Sequence, residues 1–109
     1  MNNNQETIKQ QWQQRTLAQQ MGNIGSEVGR ALKWKNTNEV RKTNAIERAL
    51  ELFDFTISDP RWIKNRLKEI CRSREVVVDY FYGDNEYNSS PQSLEKYFFY
   101  YALVARNNK

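Results

Sequence analysis

Only two prolines interrupt this chain of 109 residues, and both stand where a helix would begin. Pro60 follows Asp59 and Pro91 follows Ser90. A proline at the first helical position gives up an N–H that had no partner, and the Asp or Ser ahead of it caps the amides that remain. The four glycines punctuate as sparingly, and three of them, Gly22, Gly25 and Gly29, fall inside one helical pattern. The sole β-branched run, Val76-Val77-Val78, lies within a longer helical period. A chain with few breakers and no strands packs helices on helices. The pattern predicts four segments, 4–34, 38–57, 60–81 and 91–107, with a loop at 82–90 and a frayed start at 1–6. A third helix start is placed at Asn36, with Glu39 three residues on resembling a capping box. The chain reads as one domain, 1–109. The fold class is all-α, an up-down bundle of four helices (or three long and one short).

Helical wheels at about 100° per residue give each segment a face. Leu17, Met21, Ile24, Val28, Ala31 and Leu32 share the first, while Ile8 and Trp12 fall off it and pack elsewhere or fray. Ile46, Ala49, Leu50, Phe53 and Ile57 form the second stripe. Ile63, Leu67, Ile70, Val77, Val78 and Phe81 form the third. The last segment differs, because Leu94, Tyr97, Phe98, Tyr101, Val104 and Ala105 line one side while Phe99, Tyr100 and Leu103 lie opposite. A helix apolar nearly all round is normally enclosed by protein, and three neighbours in so small a bundle cannot enclose it. The surplus predicts a homo-oligomer held through Tyr97, Phe99, Tyr100 and Leu103, with Leu52 and Phe55 of the second segment added. Gly22, Gly25 and Gly29 flank the first stripe as a smooth groove for another helix; a helix break at Gly22 is the competing account.

Seventeen Lys/Arg against thirteen Asp/Glu leave a net charge of +4, with no histidine and one cysteine. Those absences exclude a His-dependent triad, a His-ligated metal and a disulfide scaffold. No apolar run is long enough to span a membrane and no leader is visible, so a soluble, cytoplasmic protein is expected. Neither a metal nor a cofactor is called for, and no pair of groups reads as acid and base. Position says more than the sum. Residues 30–48 hold six bases against two acids, residues 61–74 six against one, and residues 75–95 five acids and no base. Arg61, Lys64, Lys68 and Arg72 share one side of a helix, with Arg41 and Arg48 placed beside them. A solvated face is one reading. A single-signed stripe that binds phosphates without reading sequence is the other, and these six residues are its candidates. Arg74 projects into the apolar stripe and needs a carboxylate, with Glu27, Glu51 and Asp54 within reach and Glu27 and Asp54 the chosen partners. Cys71 reads as a small buried hydrophobe.

The stretch Asn23-Ile24-Gly25-Ser26-Glu27-Val28-Gly29-Arg30, followed by a basic turn and the amphipathic Ala45–Ile57 helix, resembles a known family. This is the small four-helix-bundle family of ribosomal-RNA intervening-sequence proteins and of accessory variability determinant (Avd) proteins from diversity-generating retroelements. The resemblance covers Asn23 to Ile57. It implies a ring-like homo-oligomer, typically a pentamer, that binds RNA or DNA and a partner reverse transcriptase, with no catalytic residues to carry over. Together these readings predict a non-catalytic accessory protein that binds nucleic acid and assists a reverse transcriptase or similar enzyme. The alternative is an adaptor whose basic face docks an acidic protein. A small enzyme using Arg74 with Glu27 or Asp54 is a third class.

Overall fold

A computed structural model describes residues 3–107, with side chains from Thr7 onward. Five α-helices follow one another: α1 Asn3–Trp12, α2 Leu17–Trp34, α3 Glu39–Ile57, α4 Leu67–Tyr82 and α5 Pro91–Asn107. A single 3-10 turn, Pro60–Trp62, stands between α3 and α4, and no strand occurs among the described residues. The all-α reading therefore holds, with five helices in place of four. Part of the expected frayed start, residues 1–2, lies outside the described residues; α1 begins at Asn3.

The extra helix comes from a break within the predicted segment 4–34. The break is not at Gly22, since α2 runs unbroken through all three glycines. It falls at Thr16, whose hydroxyl accepts the Gln19 amide at 3.1 Å while the Gln19 side chain accepts the Thr16 amide at 2.9 Å. This reciprocal capping box satisfies two orphan donors and starts α2 afresh. Freed from α2, α1 folds across α3. The Trp12 indole donates to Thr56 Oγ1 at 2.8 Å, and Gln13 donates to the Phe55 carbonyl at 2.9 Å. Leu52 and Phe55 thereby become core, at 4% and 7% exposure, and neither is available for self-association. Sequence reasoning had them outside the α3 stripe because it had no helix to cover them.

Two other boundaries move. The α3 cap is Asn38, which accepts the Arg41 amide at 3.0 Å; Asn36 does not serve. Pro60 opens only the 3-10 turn, and residues 63–66 form turns before α4 starts at Leu67. Ile63 consequently leaves the apolar stripe and is 58% exposed. Pro91 does begin α5, behind Ser90, whose hydroxyl accepts the Ser93 amide at 3.0 Å. The loop ahead of it turns through Asn85 and Asn88, both at positive φ. It is tied to α4 by the Asp79 carboxylate, which accepts the amides of Glu86 and Tyr87.

Side-chain contacts give the helix directions. Gly22 faces Ala102 and Gly25 faces Phe98, so α5 runs antiparallel to α2. Tyr101 donates to Glu69 at 2.9 Å and Tyr97 bonds Ser73, so α5 is also antiparallel to α4. Met21, Ile24 and Val28 of α2 meet Phe53 of α3, Ile70 and Val77 of α4 and Phe98 of α5 in one core. Phe53 and Phe98 meet edge to face with centroids 6.4 Å apart, the preferred arrangement for aromatic rings.

Candidate nucleic-acid interface

Helix α2 buries one face and presents two different edges. On one edge, Asn23, Glu27, Arg30 and Trp34 follow the four-three-four spacing that keeps residues aligned on a helix. This edge looks along α3, whose Arg41, Asn44 and Arg48 project to the same side. An open groove of about 490 Å³ lies here, lined by Arg15, Asn23, Ser26, Arg30 and Arg48 among others. It continues past Glu27 and Arg30 into a second hollow of about 280 Å³ that adds Trp34, Arg41 and Asn44. Four guanidinium groups from the α1–α2 turn, α2 and α3 thus border one continuous furrow. At its upper end Trp34 is flanked by two cations, with Arg41 at 4.8 Å and Lys33 at 5.1 Å from the ring centre. Helix α1 closes the lower end by covering Leu52 and Phe55.

The Glu27 carboxylate lines the furrow, and Glu51 pairs with one of its arginines. Glu27 holds Arg30 at 2.9 Å and Glu51 holds Arg48 at 2.8 Å, each three residues apart on its own helix. Exposed pairs of this kind are worth about 0–1 kcal/mol. The Arg41 guanidinium lies over the Trp34 face, with no ion pair among the described residues.

The six candidates for phosphate contact do not form one stripe. Arg41 and Arg48 lie in the furrow, together with Arg30 and Arg15, which sequence reasoning had not singled out. Arg61 lies apart from the furrow and is engaged in structural pairing, with its side chain still 41% exposed. Its guanidinium donates to both oxygens of Asp59, at 2.7 Å for the closest contact, and to the carbonyl of Arg15 at 2.7 Å. Lys64 stands in the turns before α4, so it no longer shares a helix with Lys68 and Arg72. Arg72 lies over the Tyr87 ring, 5.6 Å from its centre, and that tyrosine donates to Glu75. Arg72 therefore sits against the acidic stretch that follows it. The break at residues 63–66 is the physical reason the four cations do not share one helix.

The network around Asp59 was also missed, since the sequence showed only a cap. Asp59 is 1% exposed and accepts from Gln20 as well as from Arg61. Gln20, fully buried, also donates to the Trp12 carbonyl at 3.0 Å and accepts the Trp62 indole at 3.1 Å. Burial pushes the Asp59 carboxyl up, but the hydrogen bonds from the Arg61 side chain and backbone and from Gln20 outweigh it and hold it below the usual range. The network pins the start of α2, the end of α1 and the close of α3 to one another, which fixes the lower end of the furrow.

Arg74 was expected to be buried between Glu27 and Asp54. It pairs with Asp54 at 3.1 Å, but the pair is on the surface, its side chains 34% and 62% exposed. Glu27 belongs to Arg30 on the far side of the bundle. A surface pair in this setting contributes about 0–1 kcal/mol. Cys71 is a half-buried free thiol.

Among the described residues there is no cluster of His, Cys, Asp and Glu that could hold a metal ion, and no helix is long and apolar enough to cross a membrane. No family model, no curated protein and no solved structure matches this chain.

Proposed function

We propose that this protein is a non-catalytic accessory that binds nucleic acid along the α2–α3 furrow. The observation that carries the reading is the convergence of Arg15, Arg30, Arg41 and Arg48 from three separate elements on one open, polar groove. Guanidinium groups pair with phosphate oxygens in a fixed fork, and Asn23, Asn44 and Ser26 add neutral donors of the kind that contact a backbone. Trp34, already stacked with Arg41, supplies one flat surface on which an unpaired base can lie. Nothing in the furrow forms a code for base edges, so contact is with the backbone and tolerant of sequence. The resemblance of Asn23 to Ile57 to the intervening-sequence and Avd proteins supports a reverse transcriptase or similar enzyme as the protein partner. Self-association, supported by the aromatic surplus of α5, would repeat the furrow around the assembly.

The test is fluorescence anisotropy with short mixed-sequence RNA and DNA over a range of salt. Each phosphate neutralised steepens the dependence of log K on log salt by about 0.9 for duplex or about 0.7 for a single strand. Three or four such contacts are expected. Salt-insensitive binding, or none at low salt, contradicts the reading. Capture of an acidic protein that survives nuclease treatment would favour the adaptor instead.

A further inference from the structure

The other edge of α2 meets α5, and that junction carries a pattern the nucleic-acid reading does not use. Gly25 lies directly beneath Phe98, where a Cβ would come within 2.3 Å of the Phe98 Cβ. Gly22 faces the Ala102 backbone, and Gly29 faces open space. The absence of side chains brings the two helices close and leaves a shallow groove of about 590 Å³ between them. Its α5 wall is formed by Gln92, Glu95, Lys96, Phe98, Phe99 and Ala102, of which Glu95, Phe99 and Ala102 lie in one line. Arg106 continues the line one turn on. At 3.6 residues per turn these four fall within an arc of about 60°, and their spacing of four, three and four residues is that of a helix seam. The seam faces solvent. Phe99 is 55% exposed, and Tyr100 and Leu103 beside it are exposed as well. Neither Glu95 nor Arg106 has an ion-pair partner among the described residues.

The order along the seam is acid, large, small, base. Reversed by a two-fold axis, it becomes base, small, large, acid, its own complement. We propose that this face of α5 binds a second copy of the chain about a two-fold axis between Phe99 and Ala102. The two α5 helices then run antiparallel, each Phe99 over the Ala102 of the partner subunit and each Glu95 against the Arg106 of the partner subunit. A two-fold contact uses one patch on both subunits, so every pairing occurs twice. The small residues matter at the same place. With Ala102 against Gly22, the surface is low enough for an aromatic ring from the other copy to lie on it. The seam lies on the opposite edge of α2 from the furrow, so each copy keeps its arginines free and the dimer presents two furrows. The inference rests on the reading that the chain self-associates and adds its register.

Charge exchange tests the register. Glu95, Phe99 and Arg106, the positions substituted, are exposed, so circular dichroism of each variant should match the parent. Sedimentation equilibrium of the parent is expected to give a dimer. Glu95→Arg and Arg106→Glu each place like charges in contact twice and should weaken dimerisation by at least about tenfold. The double variant restores opposite charges and should recover most of the loss. Phe99→Ala should abolish the dimer. A parent that stays monomeric removes both self-association and the register. An oligomer indifferent to the single exchanges, a double variant no better than either, or a pentamer insensitive to Phe99→Ala overturns the register alone. Nucleic-acid affinity measured on the same variants reports on the furrow separately.

Discussion

One helix builds two grooves of opposite character. Along its α3 side, α2 presents Asn23, Glu27, Arg30 and Trp34, and the surface is broad, polar and cationic. Along its α5 side it presents Gly22, Gly25 and Gly29, and the surface is close-set and apolar. Ser26 stands on the ridge and lines both. The difference comes from side-chain size as much as from charge. Long arginines hold α3's outer side open to solvent, whereas missing side chains let α5 settle onto α2 with Phe98 filling the gap. The proposed phosphate furrow and the proposed self-association seam would be two uses of one helix, kept apart by roughly a third of a turn on each side of the core.

The largest effect expected on this division is at its foundation. Asp59→Ala removes the acceptor shared by Arg61 and Gln20 and should cost about 2–3 kcal/mol in chemical denaturation. Because the Asp59 carboxyl is held below its ordinary value of 3.8, its contribution is fully present above that pH and fades as pH falls through the lowered value. The variant should therefore lose less stability than the parent on acidification below about pH 4. If the two acid limbs superimpose, the network does not matter.

The glycine edge comes next. Gly25→Ala forces a methyl into Phe98 and should destabilise by about 1–3 kcal/mol. Gly29→Ala meets nothing and should stabilise by about 0.5–1 kcal/mol, through helix propensity alone. Equal shifts at the two positions would show that α5 does not rest on Gly25. A smaller effect separates α5's inner side from its seam. Burial, with hydrogen bonds to Tyr97 and Glu69, holds the Tyr101 hydroxyl above the ordinary phenol value of 10.0. A raised value contributes stability that is present below about pH 10 and lost as pH climbs past it. Tyr101→Phe should remove that alkaline loss and cost about 1 kcal/mol at neutral pH. Absorbance titration should show the late-ionising tyrosine gone.

The fold was legible where local chemistry decided it. Pro91 behind Ser90 and the stripe from Ile46 to Ile57 required no tertiary information. The break at Thr16 was also written in the chain, as Thr-x-x-Gln, but the apolar period running on from Leu17 masked it. At residues 63–66 the pattern continued helically while the backbone did not, because Asp59 and Arg61 turn inward there. The site divided the same way. Arg41 and Arg48 were singled out from the basic block at 30–48, but as neighbours of the α4 cations and not as partners of α2. Arg15 and Arg30 were not singled out, because which helices share a groove depends on how α1, α2 and α3 pack. Leu52 and Phe55 were misplaced for the same reason, being surface on α3 alone and interior once α1 lies across them.

The central claim is that anion recognition belongs to the furrow and not to the basic run before and within α4. Two triple variants separate them directly: Arg30→Gln with Arg41→Gln and Arg48→Gln, and Lys64→Gln with Lys68→Gln and Arg72→Gln. Each removes three positive charges, so a net-charge effect would be the same in both. Measured against one nucleic-acid probe over a salt series, the furrow variant should lose about a hundredfold in affinity at low salt and flatten the slope by 2–3 for a duplex. The α4 variant should keep a slope close to the parent's. Equal losses in the two, or a larger loss from the α4 set, would contradict the account.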